Sequence, residues 1–109
     1  MIWKYKIDIV NQNVFSEIEK NYGITISDEL RKLILEANAA TPSQYCFMLG
    51  HTEKVLGAIL SFNEDEKDTD TVYTALSAIK DKDLVPFAID PFGNYICYSN
   101  SNNNVVFIQ

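Results

Sequence analysis

Side chains that commonly carry chemistry are scarce in this sequence. It has one histidine, two cysteines and four glycines, and the glycines are too scattered to form a phosphate-binding loop. Neither a GxSxG nor an HExxH pattern occurs. The single histidine, His51, lies in a predicted loop, where a lone histidine is usually solvent-exposed rather than a ligand or a base. We therefore assign no catalytic residue, no metal ligand and no cofactor, and we expect that the chain is not an enzyme.

Long hydrophobic runs are also absent. The first ten residues, MIWKYKIDIV, carry Lys4, Lys6 and Asp8 among apolar residues, so they lack the uninterrupted hydrophobic region of a secretory signal. No stretch approaches the ~20 apolar residues that a membrane span needs. We expect a cytoplasmic location and no membrane contact. The length of 109 residues and the hydrophobic content of 47% predict a single domain, residues 1–109, with a packed core.

The two cysteines do not have the spacing of a zinc site. Cys46 and Cys97 each lie in an apolar run, and neither belongs to a CxxC or Cys/His pattern. Free cysteine is among the most buried residue types, so we interpret both as buried thiols. A disulfide between them is the alternative.

Basic residues are in the minority. The sequence has 9 Lys and Arg against 15 Asp and Glu, a net charge of −6. Binding to nucleic-acid phosphates requires clustered Lys and Arg, so no nucleic-acid partner is expected. The acids are concentrated in the segment EDEKDTD, residues 64–70, whose net charge is −4, which leaves ten acids and eight bases elsewhere.

This acidic segment, residues 64–70, has two interpretations. The plainer one is a solvated loop, and the other is an electrostatic landing surface for a basic partner, because complementary charge accelerates encounter and selects among partners. A calcium site is not favoured, because the glycine and glutamate that an EF-hand loop requires are missing. The candidate partner-binding residues are Glu64, Asp65, Glu66, Asp68 and Asp70.

Hydrophobic periodicity predicts three helices. Apolar residues recur at the i, i+3, i+4 spacing of an amphipathic helix in three segments. Residues of the types that cap helices precede them, and a glycine follows the first. The predicted helices are Val14–Tyr22 between Asn13 and Gly23, a second from Ser27 to Asn38, and a third from Val72 to Ile79 after Asp70 or Thr71.

The predicted strands follow these helices. The strands are Tyr45–Leu49, Val55–Phe62, Leu84–Ile89, Tyr95–Tyr98 and Val105–Ile108. The first two are expected to form a hairpin across the loop GHTEK, and the last four an antiparallel meander. Asp90 to Gly93 matches a type I turn, and a left-handed Gly93 would make it a three-residue hairpin loop with a bulge. This order predicts an α+β fold with about three helices packed on a mostly antiparallel sheet.

Four aromatic residues lie near the two ends of the chain. They are Trp3, Tyr5, Tyr95 and Tyr98. Trp and Tyr are enriched among interface hot spots, so these residues are candidate anchors for a partner. Burial in the core is the more common role, and we favour it.

Three phrases of the sequence resemble the SUKH superfamily, also called Smi/Knr-like: GAILSFNE, LVPFAIDPFGNYICY and NVVFIQ. The family also has a YGI-like phrase after its first helix and an Asn at the end of its second, here Asn38. The chain departs from the family where Ala39 and Ala40 follow Asn38, since glycines are common there. The motif residues that look structural rather than catalytic are Phe62, Pro86, Phe87, Asp90, Pro91, Gly93 and Asn94. Of these, we expect Pro86 at the start or the edge of its strand.

The resemblance implies a function. Bacterial members look like cytoplasmic immunity proteins that neutralise a cognate toxin, often a nuclease or deaminase domain, by direct protein–protein binding and without a cofactor. A monomer is favoured. The acidic segment would then cover the basic, phosphate-seeking surface of a nuclease-type toxin. The alternatives are a non-catalytic scaffold or regulatory protein-interaction module of the same superfamily, and a small-ligand carrier or an enzyme with a pocket between helices and sheet.

Overall fold

The computed structural model describes residues 2–42, 46–49, 52–64 and 70–108, with the backbone alone at 46–49 and 52–55. The helices are α1 (Val14–Tyr22), α2 (Asp28–Ala37) and α3 (Val72–Ala78). The strands are β1 (Trp3–Lys4), β2 (Thr41–Pro42), β3 (Cys46–Leu49), β4 (Thr52–Val55), β5 (Ala58–Ile59), β6 (Leu84–Ile89), β7 (Tyr95–Ser99) and β8 (Asn104–Ile108).

The strands form an antiparallel sheet of four in the order β5-β6-β7-β8 and two strand pairs, β1-β2 and β3-β4. The α+β class and the C-terminal meander are therefore confirmed. The buried sides of the helices meet the strands in one hydrophobic core. Its largest fully buried apolar side chains are Phe62, Ile18, Ile34, Ile59, Leu60, Ile96, Val14, Val72 and Val85.

The helix ends follow local sequence signals, with two differences. Gly23 ends α1 with φ 69°, and its N–H donates to the Glu19 carbonyl at 3.0 Å. The Ser27 hydroxyl caps α2 by accepting the Leu30 N–H at 3.2 Å. Asn13 and Thr71 occupy the N-cap positions of α1 and α3, but neither side chain makes a capping hydrogen bond.

The predicted hairpin is partly correct: β3 agrees with its first strand, but the partner strand begins inside GHTEK. Residues 52–55 belong to a strand and pair with 46–49 in a register that sets Leu49 opposite Thr52. The predicted strand 55–62 is divided, and its Ala58–Ile59 portion pairs with β6. The reason lies at Gly57, whose N–H donates to the Ile89 carbonyl at 2.9 Å. A Cβ at this position would lie 3.0 Å from the Ile89 oxygen and from the Asp90 carbonyl carbon, so a larger residue would require the backbone to shift where the chain crosses onto the sheet.

The β6–β7 turn has the predicted geometry. The Gly93 N–H donates to the Asp90 carbonyl at 3.1 Å, and Gly93 has φ 85°. Pro86 is third in β6 rather than at its start, beside a bulge between Pro86 and Ala88. Proline has no N–H to donate to a neighbouring strand. This costs no hydrogen bond to β5, because β5 pairs only with Ala88 and Ile89.

The predictions for buried residues have mixed outcomes. Cys97 is a free, fully buried thiol, as predicted, and burial raises its pKa to about 12. The Cys46 side chain lies outside the described residues. Trp3, Tyr95 and Tyr98 are half-buried and pack against the core, as favoured. Tyr5 is 82% exposed, so the core interpretation is wrong for this residue, which follows β1 with a left-handed backbone.

Candidate protein-binding surface

Asn38, at the end of α2, binds the backbone of the N-terminal segment, residues 5–11, from within the core. Its side chain is fully buried. Its Nδ2 donates to the Ile7 carbonyl at 2.9 Å, and its Oδ1 accepts the Phe62 N–H at 2.7 Å. The Ile7 N–H donates in turn to the Asn38 carbonyl at 3.0 Å. One amide therefore joins the N-terminal segment, the end of α2 and the residues that precede the acidic segment.

Asn63 fixes the same segment from the other side. Its Nδ2 donates to the Asp8 carbonyl at 2.9 Å, and its Oδ1 accepts the Val10 N–H at 2.8 Å. Residues 7–10 form no strand, yet backbone groups of Ile7, Asp8 and Val10 are hydrogen-bonded to these two asparagines. The N-terminal segment consequently lies against the point where the acidic segment leaves the core.

The acidic segment is attached to the core at both ends. Ser61 lies opposite Thr71 in an isolated parallel bridge. The Ser61 N–H donates to the Asp70 carbonyl and the Val72 N–H donates to the Ser61 carbonyl, both at 2.9 Å. Glu64 and Asp70, which begin and end the segment, are exposed. The other three candidates, Asp65, Glu66 and Asp68, lie outside the described residues.

Two surface hollows adjoin the ends of the acidic segment, and the N-terminal segment lines both. The Asp70 hollow has a volume of about 300 Å³ and is lined by Tyr5, Ile7, Ala39, Thr41, Ala58, Ile59, Asp70 and Ile89. The Glu64 hollow has a volume of about 350 Å³ and is lined by Val10, Asn11, Glu17, Phe62, Asn63, Glu64 and Tyr73. The two asparagines that hold residues 7–10 therefore also shape a surface around the acidic segment.

The electrostatics of the Glu64 hollow favour cations. Burial, followed by the carboxylates of Glu64 and Glu17, raises the pKa of Tyr73 to about 12. The phenol therefore stays protonated at neutral pH and can only donate or accept hydrogen bonds, so it is not a general base there. In the described part of the chain no Lys or Arg pairs with either carboxylate, although Glu17 accepts a hydrogen bond from Asn11 Nδ2. The hollow therefore suits the binding of a positively charged group.

The Asp90 carboxylate is committed to its own turn. Its Oδ1 accepts the N–H groups of Phe92 and Asn94, both at 2.9 Å, and its Oδ2 accepts Asn94 Nδ2 at 3.0 Å. Burial alone would raise the pKa of Asp90, but the hydrogen bonds from Asn94, Phe92 and Gly93 outweigh it and lower the pKa. These three hydrogen bonds occupy most of the carboxylate's roughly four acceptor sites, so its role is to hold the turn.

The other motif residues lie around this turn and in the core. Phe62, Pro86 and Phe87 are buried, whereas Pro91 and Gly93 are exposed at the turn. The Phe62 ring packs against Phe15 with a centroid distance of 5.8 Å. The structural role that the motif implies for them stays a prediction.

Two further polar clusters join elements of the fold. Glu19 pairs with Arg31 at 2.7 Å and accepts the Ile26 N–H at 2.9 Å. The hydrogen bond from the Ile26 N–H lowers the pKa of Glu19, and Arg31 lowers it further. Burial acts in the opposite direction but is outweighed. Asp83 accepts the Ser99 hydroxyl at 2.7 Å and the Ser101 N–H at 2.8 Å. These carboxylates have partners within the fold, whereas among the described residues neither Glu64 nor Asp70 forms an ion pair.

Within the described ranges, no group of three or more His, Cys, Asp or Glu is placed to hold a metal ion. The helices in that part of the chain are all too short or too polar to cross a membrane.

Sequence reasoning missed Asn63 and did not assign Asn38 a contact. Asn38 is 31 residues from Ile7, and Asn63 is 53 residues from Val10. Their sequence signals are an amide that ends a helix or precedes a charged run, and the family-like phrases in which both residues lie. Neither signal names the distant backbone that the amide binds.

Comparison with known proteins gives one match. A family model described as the SMI1 / KNR4 family (SUKH-1) matches residues 9–108. The match includes both asparagines, the acidic segment and the Asp90 turn, and it begins after Tyr5. Searches of curated proteins and of solved structures return no match.

Proposed function

The chain belongs to the SMI1 / KNR4 family (SUKH-1), and we propose that it is a cytoplasmic immunity protein that neutralises a cognate bacterial toxin by direct protein–protein binding. It acts as a monomer, without catalysis and without a cofactor. The family membership supports an immunity-type domain. The observation that carries the choice of surface is that Glu64 and Asp70, the two described ends of the acidic segment, are exposed, and that the Ser61 N–H donates to the Asp70 carbonyl.

Charge supports a nuclease-type toxin as the partner. The chain has a net charge of −6, and most of it lies in residues 64–70. A nuclease presents a basic surface to nucleic-acid phosphates, and a negative surface of similar extent can cover it. Because the ends of the segment are already fixed, less conformational entropy is lost when the partner binds.

Growth rescue tests the immunity function. The chain would be co-expressed with the candidate toxin domain encoded beside its gene, with an unrelated toxin as control. We expect rescue from the cognate toxin alone. Failure to rescue, with folded protein present, would contradict the proposal and favour a scaffold or regulatory module of the same family.

Charge neutralisation tests the surface. A variant that carries Glu64→Gln, Asp65→Asn, Glu66→Gln, Asp68→Asn and Asp70→Asn should bind the toxin at least about tenfold more weakly at low salt, mainly through a lower association rate. The matched control is Glu29→Gln with Glu36→Gln, two exposed acids on α2. An unchanged affinity of the five-site variant would remove the acidic segment from the interface and leave only the solvated-loop interpretation.

A further inference from the structure

The Asp70 hollow combines an exposed aromatic ring with an exposed carboxylate on an apolar floor. Tyr5 is 82% exposed, and Asp70 lines the same hollow. The floor is the β5–β6 pair, in which Ala58 lies opposite Ile89. At about 300 Å³, the hollow is at the small end of the ~300–1,000 Å³ typical of ligand pockets, so it suits one inserted side chain better than a large cofactor.

Unfavourable backbone conformations are concentrated at this hollow. In the described part of the chain, the non-glycine residues with positive φ are Tyr5 (63°), Ala39 (62°) and Asn103 (51°). Asparagine adopts this conformation readily, whereas tyrosine and alanine are strained in it. Tyr5 and Ala39 both line the Asp70 hollow. Residues with strained backbone conformations are concentrated at binding sites. At Tyr5 the ring is exposed, so its burial does not compensate for the backbone strain.

We propose that the Asp70 hollow receives an arginine side chain of the toxin, with its guanidinium stacked on the Tyr5 ring and paired with the Asp70 carboxylate. Arginine is favoured because its planar group stacks on aromatic faces and pairs with carboxylates. Tyrosine is also enriched among the residues that contribute most to binding at protein interfaces. The inference rests on the proposed function and deepens it, since it names the contact that the toxin makes.

Tyr5 makes this contact a source of specificity. The family match covers Asp70 but begins at Ile9, so the ring of Tyr5 comes from outside the matched residues. The two asparagine anchors hold the backbone that follows Tyr5, at Ile7 to Val10, so the ring is presented from a fixed support. The acidic segment then supplies general attraction, and the hollow supplies one directed contact.

The experiment measures the affinity of the purified chain for the toxin domain encoded beside its gene. Tyr5→Ala and Asp70→Asn should each weaken binding by about tenfold or more, and Tyr5→Phe by less than about twofold, because the ring is retained. The double variant should be little weaker than either single one, since all three lose the same arginine contact. The matched controls are Phe92→Ala, an equally exposed ring outside the hollow, and Glu36→Gln. Both should bind normally.

The outcomes separate the two proposals. Toxin binding that is unchanged by both Tyr5→Ala and Asp70→Asn would overturn the hollow as the contact and leave the immunity function standing. Additive losses in the double variant would mean separate contacts and would overturn the shared arginine. A wild-type chain that is folded but neither binds nor neutralises the toxin would remove the proposed function and this inference with it.

Discussion

Two turns of this molecule use the same design with different residues. In the Asp90 turn a buried carboxylate collects the N–H groups of the loop, and Gly93 takes the left-handed position at φ 85°. In the turn after α2 a buried amide, Asn38, binds backbone on both sides, and Ala39 takes the left-handed position at φ 62°. The first turn has the residue that its geometry favours, whereas the second retains strain beside the Asp70 hollow. The difference indicates that the second turn is not optimised for stability alone.

The largest expected effect is at the Asn38 turn. Asn38→Ala would leave the buried Phe62 N–H and the part-buried Ile7 carbonyl without the amide that binds them, so we expect a loss of about 3 kcal/mol in the free energy of unfolding. Urea denaturation would measure it. Asn21→Ala, at an exposed position on α1, is the control and should change stability by less than about 0.5 kcal/mol. A loss below about 1 kcal/mol at Asn38 would show that the N-terminal segment is not held by this amide.

The Asp90 turn should be less costly to disrupt and should respond to pH. Asp90→Asn removes the charge and replaces the oxygen that accepts from Asn94 Nδ2 with an NH₂ group, so that two donors face each other. We expect the free energy of unfolding to fall by about 2 kcal/mol at pH 7. The pKa of Asp90 is lower in the folded chain than its unfolded value of ~3.9. The carboxylate therefore stabilises the fold above that pH, and its contribution disappears as pH falls through the folded pKa.

Denaturation at several pH values would check this sign. The wild-type chain should lose more stability than Asp90→Asn as the pH falls from about 4 to about 2. Glu19 and Asp83 also have lowered pKa values, but they are present in both proteins, so the difference isolates Asp90. Parallel curves for the two proteins would contradict the assignment.

The smallest expected effects are at the left-handed residues of the two turns, Gly93 and Ala39. They test the difference between the turns most sharply, because we expect them to have opposite signs. Gly93→Ala should destabilise the fold by about 1 kcal/mol, since alanine is strained at positive φ. Ala39→Gly should stabilise it by about 0.5 kcal/mol, because relief of the same strain exceeds the entropy that glycine adds to the unfolded chain. Thermal denaturation of both variants would measure the pair. Destabilisation by Ala39→Gly would show that the second turn gains more from its methyl group than it loses to strain.

Features that depend on neighbouring residues could be predicted from the sequence. The three helices follow from apolar periodicity, and the Asp90 turn follows from four adjacent residues. The departure at Ala39 was also visible, since glycines are common there in the family. The β1–β2 pair was missed because each strand has two residues, too few for an alternating pattern. The β3–β4 hairpin was placed wrongly because the polar residues of TEKV resemble a loop, and Gly57 was not recognised as a crossing point.

The candidate surface was only partly predictable. The charge of residues 64–70 is a property of composition, so the acidic segment could be found without a structure. Its position beside Tyr5 depends on the hydrogen bonds of Asn38 and Asn63, which join residues far apart in the chain. No local pattern encodes those pairings, so the hollows and the exposed ring required the fold.

Calorimetric titration of the purified chain with the toxin domain encoded beside its gene tests the central claim most directly. We expect saturable binding whose affinity falls as salt is raised, because residues 64–70 carry most of the net charge. No binding between two folded proteins at low salt would contradict it.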